Sequence, residues 1–224
     1  MLRFAGLSKA FGRKQVIHAA SGELHAGAFA LQGPNGAGKS TLLALLAGAT
    51  LPDAGEVWID GISLRAAPVA ARKRLGYAPD KSPVYPFVTG RDWLDFVADA
   101  KQCARDGTVK DMVGELGLTP YLATAFAAMS LGTQKKFLLC AAWIGEAPVM
   151  LLDEPSNGLD RAARDAIARR IAKRSAQVVT LFASHDAAFV EACGATVLGI
   201  GDVDGHQDGP GEHSPAGADL TPAR

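Results

Sequence analysis

Residues 2–32 alternate short apolar runs with turn glycines, a pattern that predicts antiparallel strands. Within them AFALQ (28–32) is apolar up to its glutamine and reads as a buried strand. TLLALLAGA (41–49) has the length and turn spacing of a helix but little polar surface, so it is expected to pack on a sheet. GEVWIDG (55–61) reads as a hairpin strand ending at a glycine, and 65–75 as a short basic helix. KSPVYP (81–86) is a proline-rich connector. GRDWLDFVADAKQ (90–102) is amphipathic, with Trp93, Phe96 and Val97 on one side, and VKDMVGELGL (109–118) is a second helix. PVMLLD (148–153) returns to a buried strand, RAARDAIARRIAKRSA (161–176) to a helix and VVTLFASH (178–185) to a strand. Strands that alternate with helices predict a mostly parallel sheet, with a helical subdomain (about 81–144) inserted in the core.

Composition narrows this to one domain over 1–200. The chain has 224 residues, 48% hydrophobic and 21% charged, enough for a sizeable core. Lys plus Arg and Asp plus Glu number 23 each, so the bulk charge gives no reason to expect nucleic acid as a partner. The six Lys or Arg of 161–174 read as a solvated helix face. Cys103, Cys140 and Cys193 form no CxxC pair, so free thiols are expected rather than disulfides or zinc. FLLCAAWI (137–144) is far too short to span a bilayer. A cytoplasmic chain is expected, joined to the membrane only through a partner. Residues 201–224 hold five acidic residues, five glycines and three prolines and read as a disordered tail, in which His206 and His213 are solvated.

GPNGAGKS (33–40) fits GxxxxGK[ST] in full, between a buried strand and a helix. Gly33, Gly36 and Gly38, with Pro34, Asn35 and Ala37 between them, let the backbone curl so that N–H groups face phosphate oxygens. The helix start adds its positive end. Lys39 offers an ammonium to the β- and γ-phosphates, the Ser40 hydroxyl is a Mg²⁺ ligand, and Thr41 supports the α-phosphate side. LLDEP (151–155) supplies Asp153 to hold Mg²⁺ and Glu154 to orient and polarise the attacking water. ATP and Mg²⁺ are the expected ligands.

GPNGAGKST, then MSLGTQ (129–134), then LLDEPSNGLD (151–160), then a histidine after a strand, resembles the ATP-binding subunit of an ABC transporter. The resemblance covers residues 2–200. It implies an α/β P-loop NTPase (RecA-like) core with an antiparallel β subdomain and an inserted α-helical subdomain. It places Phe11 as the ring that stacks on adenine and His185 as the histidine that contacts the γ-phosphate and steadies the water with Glu154. Asp80, in LGYAPD, falls where the family has a glutamine linking metal and water to the membrane partner. A carboxylate binds Mg²⁺ but donates no hydrogen bond. MSLGTQ aligns with a signature, LSGGQ, that contacts the ATP of a second subunit. Ser130 would be the hydroxyl donor and Gly132 the point of close approach, while Leu131 replaces a glycine and Thr133 a glutamine, with Gln134 following. Asp160 ends a dimer-facing loop.

The resemblance thus implies an ATPase that acts as a head-to-tail dimer, with itself or a paralogue, and drives a separate transmembrane permease, docked around Asp80–Val88 with Pro83 and Tyr85 as contacts. The acidic residue after YAP and the segment PVYPFVTGRDWLDFVA are similar to an exporter branch. The alternatives are the haem-export ATPase of cytochrome c maturation, a soluble ABC ATPase of translation or repair, and a module that holds ATP without turnover.

Overall fold

The structure is a computed structural model in which residues 1–103 and 107–203 are described. Two sheets share one core. β1 (Leu2–Phe11), β2 (Lys14–Leu24), β4 (Ala54–Ile59) and β5 (Ile62–Ser63) form an antiparallel sheet in the order β2-β1-β4-β5. The second sheet is parallel throughout. Its order is β6-β7-β8-β3-β9, from β3 (Gly27–Gln32), β6 (Leu75–Ala78), β7 (Val149–Asp153), β8 (Val179–Ala183) and β9 (Thr196–Gly199). The expectation of antiparallel pairing through residue 32 therefore stops at β2: β3 is buried on both sides and pairs in parallel with β8 and β9. Its run of apolar residues, without polar alternation, suits a strand covered on both faces.

α1 (Lys39–Leu46) packs between the sheets, with Leu42, Leu43, Leu45 and Leu46 fully buried. Each such leucine contributes about 1.5–3 kcal/mol relative to an exposed one. α2 is shorter than the basic helix expected over 65–75. It spans Pro68–Lys73, beginning where proline tolerates a helix start, and Arg65 lies outside it, paired with Glu56 at 3.1 Å.

The helical segment contains α3 (Gly90–Lys101), α4 (Gly107–Glu115) and α5 (Leu131–Trp143). Thr89 and Asp92 form a capping box at the start of α3. The buried face of α3 is Gly90, Leu94 and Ala98; Trp93 and Val97 flank it, and Phe96 is exposed and stacked on Trp93. α5 runs into the core with Phe137, Leu138, Leu139, Cys140 and Trp143 buried. α6 (Arg161–Arg174) and α7 (Ala187–Ala192) lie against each other. Arg169 and Arg170 of α6 both meet Glu115, Arg164 meets Asp186 and Arg161 meets Asp165, so four of its six basic residues are paired within the chain. α8 (Ile200–Val203) adds a last turn with Val203 buried, three residues into the stretch expected to be tail. The rest of that stretch, His206 and His213 included, lies outside the described residues. All three cysteines are free thiols, as expected. Among the described residues no helix is long and apolar enough to cross a membrane.

Candidate functional site

The glycine-rich loop leaves the C-terminal end of β3 and turns directly into α1, an arrangement in which a parallel sheet presents its loops to a ligand. Gly38 caps α1 with φ 98°, a left-handed conformation, and a β-carbon there would lie 2.9 Å from Ile17 and 3.1 Å from the Val16 carbonyl oxygen. Only glycine fits both demands. The Lys39 ammonium folds back over the loop and donates to the carbonyl oxygens of Gly33 (2.7 Å) and Pro34 (3.0 Å). Those bonds hold the charge at the mouth of the loop.

β7 and β8 end beside this loop, and their ends carry the acidic and imidazole groups. Asp153 is the last residue of β7, 4% exposed, and its Oδ1 accepts from the Ser40 hydroxyl at 3.1 Å. Burial pushes its carboxyl above the ordinary carboxylate range, opposed by the Ser40 hydroxyl and the Lys135 ammonium. Glu154 follows with φ 47°, left-handed in a non-glycine residue, and its N–H donates to the Ala183 carbonyl at the end of β8. Such a conformation costs of the order of 1–3 kcal/mol and is held by its surroundings. It turns the Glu154 carboxylate toward His185, with Oε1 3.4 Å from Nε2. Burial also raises the Glu154 carboxyl, with His185 opposing that rise.

These groups share one cleft of about 330 Å³, lined by Val16, Asn35, Gly36, Gly38, Lys39, Ser40, Thr41, Glu154 and His185. Eight of the residues picked out for cradle and hydrolysis thus meet around one space, and the buried Asp153 joins them through its bond to Ser40. Val16 was not anticipated. It sits in β2, where nothing but half-buried alternation marks it.

Other residues stand apart. Phe11, at the end of β1, is 54% exposed and does not line the cleft; the Lys9 ammonium lies 5.6 Å from its ring centroid and is itself held by Asp53. Asp80 follows β6, and its carboxylate faces Lys135 at 3.5 Å. Ser130, Leu131, Gly132, Thr133 and Gln134 form the start of α5, and none of them lines the cleft. The Ser130 hydroxyl caps that helix by accepting from the Thr133 N–H at 3.1 Å, Leu131 is 82% exposed, and Gln134 turns inward to the Phe126 carbonyl. Asp160 caps α6 through the Ala163 N–H and pairs with Lys136 of α5. Lys136 was not singled out by any motif.

The oxygen-only pair Ser40 and Asp153 fits a hard divalent cation, and a raised, buried carboxylate is one that a cation would stabilise in its charged form. Among the described residues no cluster of three His, Cys, Asp or Glu side chains is poised for a metal. Mg²⁺ suits such a sparse donor set because it keeps waters and takes phosphate oxygens.

Known proteins resemble this chain in sequence and fold. The ABC transporter family model matches residues 17–157. The chain is 30% identical over 190 residues to the uncharacterized ABC transporter ATP-binding protein YdbJ of Bacillus subtilis, covering 83% of this chain and 61% of that protein. It is 31% identical over 174 residues to the Nod factor export ATP-binding protein I of Rhizobium etli, covering 75% of this chain and 54% of that one. The chain therefore spans little more than half the length of these relatives. A solved ATP-binding subunit of an ABC transporter superposes with a TM-score of 0.77 at 27% identity, covering 90% of this chain and 87% of that one. The loop and the acidic strand end fall within the matched span and His185 lies beyond it, and the chain belongs to the ABC transporter family as its nucleotide-binding domain.

Proposed function

We propose that the chain binds ATP with Mg²⁺ and hydrolyses it to power a transporter. The observation that carries this reading is the convergence of Lys39, Ser40, Glu154 and His185 on one cleft beside a glycine loop whose N–H groups and helix end favour phosphate. Lys39 moves from the Gly33 and Pro34 carbonyls to the terminal phosphates. Ser40 and Asp153, with Asp80 as a further candidate ligand, would hold Mg²⁺, which would supply charge neutralisation. Glu154 accepts a hydrogen bond from the attacking water and polarises it, and its raised proton affinity suits it to that role. His185 steadies the carboxylate and reaches the γ-phosphate side. Phosphate release by the purified chain, lost on Glu154→Gln, tests this.

Two copies would close head to tail, each offering Ser130 and Gly132 to the other's ATP. That no residue of this turn lines its own cleft supports this. The permease would dock at Asp80–Val88. There Tyr85 and Phe87 are 70% and 76% exposed and stacked at 5.7 Å, and Pro83 is exposed beside them. The chain would then lie on the inner face of the membrane through that partner. Export is the direction that the YAPD segment and the Rhizobium relative favour. Loss of co-purification with a membrane protein on Tyr85→Ser together with Phe87→Ser tests the docking surface.

A further inference from the structure

Lys135, in the second turn of α5, is 4% exposed, a rare setting for a lysine. Its ammonium has three donors. They meet the carbonyl oxygens of Pro79 (3.1 Å) and Asp153, and the Asp80 carboxylate at 3.5 Å. One carbonyl closes the end of β6 and the other the end of β7. The lysine thus pins α5 to both strand ends through one buried charge. The same helix begins with the turn Ser130–Gly132. The same strand end carries Asp153, bonded to Ser40, and then the left-handed Glu154. A motion of α5 that withdrew the ammonium would release the Asp153 carbonyl, one peptide away from Glu154. The carbonyl of the buried Asp153 would then lose the ammonium as its donor.

We propose that Lys135 is a positioning residue: it holds the first turn of α5 in register with the strand ends that present Asp153 and Glu154. Its kinetic consequence rests on the ATPase reading above; the clamp itself does not.

The test uses the full chain and Lys135→Met. Without nucleotide, amide exchange in 131–134 and 154–157 should quicken about tenfold or more, with β1 and β2 unchanged. In turnover, kcat should fall about 10–100-fold while KM and the affinity for a fluorescent ATP analogue stay within about threefold. Unchanged exchange in both segments overturns the proposal. So does exchange that quickens everywhere, or a rise in KM with kcat intact. If the wild type releases no phosphate, the ATPase reading fails and the exchange result alone decides the clamp. Should Lys135→Met not fold, Asp80→Asn leaves both carbonyl bonds in place. Faster exchange confined to 131–134 is then expected, and exchange identical to wild type overturns the proposal.

Discussion

Gly132 of the α5 turn lies against Gly158 of the loop that follows Glu154: a β-carbon on Gly132 would sit 2.5 Å from the Gly158 carbonyl oxygen. The two segments proposed to face a second subunit are therefore packed on each other within one chain. The Lys136–Asp160 ion pair joins them again one helical turn later.

The close approach makes Gly132→Ala a packing change as well as a change at the proposed phosphate contact. Overpacking of this kind costs about 1–3 kcal/mol. In a chain of this size that is roughly 2–12 °C in Tm. Thermal unfolding of the variant without nucleotide checks it; an unchanged Tm would mean that the 156–160 loop yields freely.

Ser130 carries two roles that substitution can separate. Ser130→Ala removes the cap of α5 and should cost about 1 kcal/mol, besides crippling turnover. Ser130→Asp restores a capping oxygen, so its Tm should return toward wild type while turnover stays low, because a carboxylate faces phosphate charge. Nucleotide binding through Lys39 should survive in both, as measured by equilibrium titration with a fluorescent ATP analogue.

Asp153 predicts a pH-dependent gain in stability on neutralisation. Its folded pKa is raised above the ordinary 3.8, so ionisation costs the folded chain more than the unfolded one. The stability of the protonated form is fully present below the unfolded value and is lost as pH rises through the folded one. Asp153→Asn keeps an acceptor for Ser40 and removes the charge. Its Tm should exceed wild type near pH 8, where the folded chain carries the cost of the buried charge. The difference should vanish below about pH 4. Melts across pH without divalent cation check both halves.

The thiols give an independent check on the core. Burial pushes the Cys140 and Cys193 thiols up to about 12, while Cys103 is only half-buried. At pH 8 a thiol reagent should modify one cysteine, Cys103, in the folded chain and all three after denaturation. Rapid modification of three in the native protein would contradict the packing of α5 and α7.

The proposed phosphate cradle was legible as a loop and helix start because its chemistry is local. GPNGAGKS encodes a turn, a donor array and a helix start within eight residues, and Asp153 and Glu154 are adjacent at a strand end. His185 was legible only through its order after a strand. The parallel pairing of β3 was hidden, because AFALQ reads the same in any buried strand and its partners β8 and β9 lie about 150 residues away in sequence. α7 and β9 left little pattern: one is six residues long, and the other is four, with Thr196 and Val197 exposed. The structural duties of the signature turn were equally invisible. Lys135 reads as one basic residue of a charged pair, and only the meeting of α5 with the ends of β6 and β7 buries it.

The central claim is hydrolysis by Glu154 at the Lys39 cradle. The most direct measurement is phosphate release from ATP and Mg²⁺ by wild type, Glu154→Gln and Lys39→Ala, alongside nucleotide binding by each. Wild type should turn over, Glu154→Gln should bind ATP and release phosphate at least about 100-fold more slowly, and Lys39→Ala should lose binding. Phosphate release by Glu154→Gln at the wild-type rate would contradict the account.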